Sequence, residues 1–175
     1  DETLIFVTDH KIDAVKNILP VLELASRESK PLLVVAEQVE GQALAALIMN
    51  TVRGTMRVAA VKAPEYGAER TNIMKDLCIA TGATFFSRVS GRLLEEVKLS
   101  DFGLCKKVEV VKNYTTIMGG TADREKVEKR IESLKSEIKQ TESMDECRII
   151  QKRVTRLASG VAVIKVGGAT EVEMI

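Results

Sequence analysis

Lys30-Pro31-Leu32-Leu33-Val34-Val35-Ala36-Glu37 is the stretch that decides the architecture. Its apolar run, closed by a proline and a carboxylate, is too short for a helix and lacks the alternation of a half-exposed strand. A strand apolar on both faces belongs in a mostly parallel sheet covered by helices. Upstream, Leu4-Ile5-Phe6-Val7 repeats the signature. Downstream, Met56-Arg57-Val58-Ala59-Ala60-Val61 and Thr84-Phe85-Phe86-Ser87 supply two more strands. Helical stretches fill the gaps: one ending near Ser29, one over 41–52, and one over 69–81 that Gly82 closes as a C-terminal cap. The order β-α-β-α-β-α-β predicts an α/β fold, a layered sheet flanked by helices.

After Ser90 the texture changes. Val108-Glu109-Val110-Val111 and Thr115-Thr116-Ile117-Met118, separated by Lys112-Asn113-Tyr114, read as a hairpin. A charged helical pair follows. Val127, Ile131, Leu134 and Ile138 form one apolar stripe on its first helix; Ile150, Val154 and Leu157 form the stripe of the second. Ser143 and Glu146 make a capping box at the start of that second helix. The pair is expected to be an antiparallel hairpin packed on the domain with its charges in water. Ser159-Gly160 then breaks the helix before a last strand over 161–166. Gly119-Gly120 and Gly167-Gly168 read as turns, since neither pair joins a strand, a glycine loop and a helix in the order a phosphate site needs.

Composition removes several functions. Lys and Arg total 26 against 25 Asp and Glu in 175 residues, so no overall field draws the chain to nucleic acid or to an anionic membrane. Aromatics are 3% and Trp is absent, which leaves no stacking platform for bases or sugars. One histidine, His10, and three scattered cysteines, Cys78, Cys105 and Cys147, offer no metal-ligand spacing. The dispersed, odd set of cysteines fits a reducing compartment. No run approaches the ~18 apolar residues of a membrane span, and the first residues lack the pattern of a signal peptide. Because the chain opens and closes on strand-like runs, it is expected to be a piece of a longer protein.

The first two helices carry more apolar surface than sheet packing requires. Ile18, Val21, Leu24 and Ala25 suffice for docking, yet Leu19 and Leu22 are expected to point outward among Glu23, Ser26 and Arg27. In the second helix Leu44, Ala45, Leu47, Ile48, Met49 and Val52 spread over roughly 200°, twice the usual stripe of about 100°. Either another layer covers these faces or they form a paired-helix groove for apolar partners. Pro20 is expected to delay the regular helix to near Leu19, after a looser turn over 13–18.

Catalytic patterns are missing from the sequence. It holds neither the G-x-x-x-x-G-K-[ST] phosphate loop nor G-x-G-x-x-G. The Asp9-His10 doublet reads as a solvated loop, and the spacing of Glu37 and Glu40 carries little weight as a metal site. Lys106-Lys107 and the cations between Arg148 and Arg156 lack interleaved aromatics and read as solvated faces. An α/β nucleotide-binding or enzyme domain, with its site at the carboxyl ends of the strands, stays as the alternative.

The stretch from Lys30 to Leu44 closely resembles the group I, GroEL-type chaperonins. So do Val58-Ala59-Ala60-Val61-Lys62-Ala63-Pro64, Leu157 to Gly167, and Ala169-Thr170-Glu171-Val172-Glu173-Met174. The resemblance runs essentially the whole length. It implies a chaperonin apical, polypeptide-binding domain over 1–160, with 161–175 entering the intermediate domain. It further implies that Leu19, Leu22, Glu23, Leu44, Ile48, Met49 and Asn50 contact non-native polypeptide and the co-chaperonin mobile loop. Gly160 falls on a hinge, and Glu40 and Glu171 on contacts with other chaperonin subunits. ATP and Mg would serve the parent ring, not this piece, which is expected to be monomeric and inactive as an ATPase. The compartment implied is a bacterial cytoplasm or an organelle matrix. Three departures stand out. Ala63-Pro64-Glu65-Tyr66-Gly67 replaces the family's Ala-Pro-Gly-Phe-Gly, and Ser159-Gly160 its Gly-Gly. The family's aromatic substrate-contact segment would precede Asp1.

Overall fold

The computed structural model describes residues 2–52, 57–63, 67–110, 114–120 and 123–165, without the side chains of 50–52 and 161–165. Strand β1 (Thr3–Thr8) lies beside β3 (Leu32–Ala36), and β3 beside β5 (Val58–Lys62), all parallel. Between them run α1 (Val15–Glu28) and α2 (Gly41–Val52), while α3 (Gly67–Thr81) leads to the short β6 (Phe85–Phe86). The other edge of β1 is shared: Val7 and Thr8 pair with β6 in parallel, and Thr3 to Ile5 pair antiparallel with β7 (Gly103–Val110). Strand β8 (Tyr114–Gly120) continues the antiparallel half, and β9 (Val161–Lys165) pairs with it from Met118↔Val161 to Tyr114↔Lys165. Two-residue strands β2 (Lys11–Ile12) and β4 (Gln38–Val39) pair at the carboxyl ends of β1 and β3.

The unbroken apolar strands divide their side chains between two cores. Leu4, Phe6, Leu32, Val34, Val58 and Ala60 pack with Ile18, Val21, Leu22, Ala25, Ala43 and Leu47 of α1 and α2. Ile5, Val7, Leu33, Val35 and Val61 face the other way, onto Met74, Leu77 and Cys78 of α3. Both faces of the parallel half are thereby covered, which is why these strands have no polar alternation. Burial lifts the Cys78 thiol to about 12.

Helices α4 (Arg124–Gln140) and α5 (Met144–Ser159) form the expected hairpin around Leu134, Ile150, Val154 and Leu157. The Ser143 hydroxyl accepts from the Glu146 amide, as the capping box requires. Asp76 of α3 fixes the hairpin to the domain. It accepts from Arg153 Nε at 2.5 Å and Nη2 at 3.1 Å, and from Arg130 Nε at 3.0 Å.

Two local expectations are corrected. Helix α1 starts at Val15 and carries Pro20 inside it. The proline withholds one amide, but Ile18 on one side and Val21, Leu22 and Ala25 on the other are buried. Burial worth about 1.5–3 kcal/mol for each large aliphatic outweighs a proline cost of ~3 kcal/mol. Gly119 and Gly120 lie in β8, not in a turn. A side chain on Gly119 would meet the stem of Lys106, and one on Gly120 the carbonyl of Ala80 in α3. Gly119 holds φ 70, a left-handed backbone that favours glycine, and close approach of the α3 backbone requires it at Gly120.

Candidate binding surface on the first helix pair

Helices α1 and α2 lie against each other on one face of the sheet. The segment after β6, with turns Arg88–Ser90, Leu94–Glu96 and Leu99–Asp101, packs along α1 through Leu94. Leu19 is 44% exposed, Ile48 43% and Met49 52%, so three large aliphatic side chains stand in water on this pair. Leu44 is half-buried against the main core and shares the flank of Ile48, four residues on. Glu23 is exposed. Asn50 belongs to α2, but its side chain lies outside the described residues.

Leu22 does not point outward. It is 3% exposed and belongs to the core. Spacing sets the face: Leu22 is four residues after Ile18 and three before Ala25, hence on the docking stripe. Leu47, counted among the excess apolar residues of α2, is likewise fully buried. The uncovered surface is therefore narrower than the sequence suggests, with Leu22 as its floor and Leu19, Ile48 and Met49 as its accessible part.

The carboxyl ends of the parallel strands, where α/β proteins commonly bind ligands, carry charged side chains already engaged with one another. Asp9 accepts from the Arg88 amide at 2.7 Å. Glu37 lies 3.3 Å from Arg88 and 3.7 Å from Arg70. Glu40 takes Lys11 at 2.7 Å and the Gln38 amide at 2.7 Å, so the carboxylate expected at a subunit contact is paired within its own chain. That hydrogen bond, together with the charge of Glu40, raises the Lys11 pKa. His10 is half-buried, not solvated, and its Nε2 is enclosed with no hydrogen-bond partner. Among the described residues no group of three or more His, Cys, Asp or Glu is placed to hold a metal, and no helix is long and apolar enough to cross a membrane.

Gly160 caps α5 with φ 70, its amide donating to Arg156 and its carbonyl accepting from Gly119. The strand after it joins the same sheet as β8. Glu171 and Gly167-Gly168 lie outside the described residues. Sequence reasoning missed the exposed apolar residues of the irregular segment, Val89 at 95% and Leu93 at 57%. Such a segment has no periodicity from which exposure could be read.

The mixed α/β sheet, clad by helices on both faces and closed by a helical hairpin, shares its fold with a solved chaperonin. No family model matches the sequence. The chaperonin gp146 from bacteriophage EL 2 (Pseudomonas aeruginosa), solved in the presence of ATP-BeFx, matches 97% of this chain with a TM-score of 0.61 and 17% sequence identity. The chain spans 34% of the length of that protein.

Proposed function

We propose that this chain is the apical, polypeptide-binding domain of an ATP-dependent group I chaperonin, and that α1 and α2 capture non-native polypeptide and, in competition, the mobile loop of a co-chaperonin. The observation that carries the reading is the exposure of Leu19, Ile48 and Met49 on two adjacent helices whose other faces are sealed on the sheet. Covering the exposed half of each such side chain contributes about 1 kcal/mol, so a single domain grips a guest weakly. These contacts have no directional demand, so many unfolded sequences satisfy them. In a ring of subunits, several such surfaces acting on one guest convert weak contacts into retention. Glu23 and Asn50 sit on the same rim in this reading. Glu40 and Glu171 serve contacts between subunits, and Gly160 is the hinge about which the domain swings. ATP, Mg and hydrolysis belong to the longer protein, in a reducing cytoplasm or organelle matrix.

The test is capture of a denatured protein by the 175-residue chain. Ile48→Glu is expected to abolish capture with the circular dichroism spectrum unchanged, and a co-chaperonin loop peptide to compete with the guest. Capture by Ile48→Glu equal to that of the parent chain sinks the reading. Calorimetry with ATP and NAD addresses the nucleotide-binding alternative, which a micromolar signal revives.

A further inference from the structure

We propose that Met49 is a redox-modification site, and that oxidation of its thioether by a peroxide closes the α1–α2 surface to apolar partners. The inference rests on the capture function proposed for that surface. In the reaction the sulfur lone pair takes one oxygen from the peroxide. The O–O bond breaks, thioether becomes sulfoxide by a two-electron oxidation, and hydrogen peroxide leaves as water. Methionine sulfoxide reductases, drawing on a dithiol, return the thioether.

The structure singles out Met49 among the described methionines. Met74 is 1% exposed beneath the sheet, and Met118 is half-buried in β8. Met144 is 72% exposed but opens α5, whose hairpin packs beside α3 on the far side of the sheet from α1 and α2. Met49 alone of these is both accessible, at 52%, and flanked by exposed aliphatics of the candidate surface. It belongs to none of the three core clusters, whereas its neighbour Leu47 is fully buried and anchors the helix. Oxidation there changes the surface and spares the fold. A sulfoxide dipole pressed against an apolar guest without a donor is an unsatisfied polar group, the opposite of what the thioether offers. The thiols do not compete at this surface: Cys147 is half-buried in the α4–α5 hairpin, against the carbonyls of Ile138 and Thr141. Burial holds Cys78 up to about 12 and Cys105 up to about 11, so neither supplies a reactive thiolate near neutrality.

The experiment treats the 175-residue chain with hydrogen peroxide and follows each methionine by peptide mass spectrometry. Affinity for reduced, carboxymethylated α-lactalbumin is measured before and after. Full oxidation of Met49 is expected to weaken binding roughly tenfold, the effect of losing one buried aliphatic contact, and reductase treatment to restore it. In Met49→Leu the ratio of treated to untreated affinity is expected to be one, whatever its starting affinity. Met144→Leu retains the tenfold response. A peroxide loss in Met49→Leu equal to that of the parent chain overturns the inference, as does unchanged affinity with Met49 fully oxidised. Failure of the untreated chain to bind the probe removes the capture function and this site with it; binding that ignores peroxide removes only the site.

Discussion

The α4–α5 hairpin is dense in charge, yet it closes its apolar stripe around Leu134, Ile150, Val154 and Leu157. The α1–α2 pair carries more apolar surface than one sheet face covers, and it leaves Leu19, Ile48 and Met49 in water. The difference lies in the width of the stripe as well as in hydrophobic content. A helix whose apolar residues fit within about 100° is satisfied by one neighbour, whereas a wider stripe leaves a remainder that a single sheet face cannot reach. The hairpin thus seals its stripe, with Met144 and Ile149 off that stripe in water, whereas the first pair leaves part of the stripe itself uncovered.

Attachment gives the sharpest way to break this comparison. Asp76 holds Arg153, 7% exposed, and Arg130 from two different helices. Removing one partner of a buried ion pair leaves the others as uncompensated charge and costs about 3–5 kcal/mol. Asp76→Ala is expected to lower stability by that amount in urea unfolding. Hydrogen exchange should accelerate first in α4 and α5, while α1 and α2 keep their protection and the chain still captures denatured protein. Uniform loss of protection over all five helices would show that the hairpin is no separable unit.

A second, smaller contrast lies within α1. Leu22→Ala opens a cavity in the main core and is expected to cost about 2–5 kcal/mol. Leu19→Ala, three residues away, removes an exposed side chain and should stay within about 0.5 kcal/mol while weakening capture. Thermal or urea unfolding of the two variants separates floor from rim. Equal stability losses would mean that the two leucines share one environment.

Long apolar runs made the parallel half of the fold legible, because Leu32 to Ala36 has no other stable setting than a strand buried on both faces. The hairpin was legible for the same reason at a different period, with its cap written in Ser143 and Glu146. What escaped was whatever depends on distant partners. The two-residue strands β2 and β4 are too short to leave a pattern. Gly119 and Gly120 resembled a turn because Ala80 and Lys106, which crowd them, are far away in sequence. Asp76, Arg130 and Arg153 meet from three helices, and nothing local marks them as partners. At the candidate surface, the outward placement of Leu19, Ile48 and Met49 followed from the wheel. Leu22 belongs to the docking stripe on the same wheel, only about 40° from Ile18 whatever residue begins the helix, so placing it outward is an error of phase and not a tertiary surprise.

Asp101 offers the smallest effect and a pH handle on the segment that flanks α1. Burial works to raise its pKa. Hydrogen bonds from Arg92 Nη1 and Nη2 at 3.1 and 3.0 Å, from the Lys98 amide at 2.8 Å, and from Thr84 outweigh that and hold it below the ordinary 3.8. Arg92 in turn lies 4.4 Å from the centre of the Phe86 ring, so the carboxylate positions a cation over the core. A depressed folded-state pKa means that the stabilisation is fully present above 3.8 and is lost as pH falls through the folded value. Asp101→Asn is expected to cost about 1 kcal/mol at neutral pH. The gap between it and the parent chain should close in acid below 3.8. Unlike Asp76, which holds two arginines, Asp101 serves one that is itself partly exposed, and solvent screens what the pair contributes. A gap that stays constant from neutral pH into strong acid would show that Asp101 acts through packing, and that the charge it carries does not fasten this segment beside the open helices.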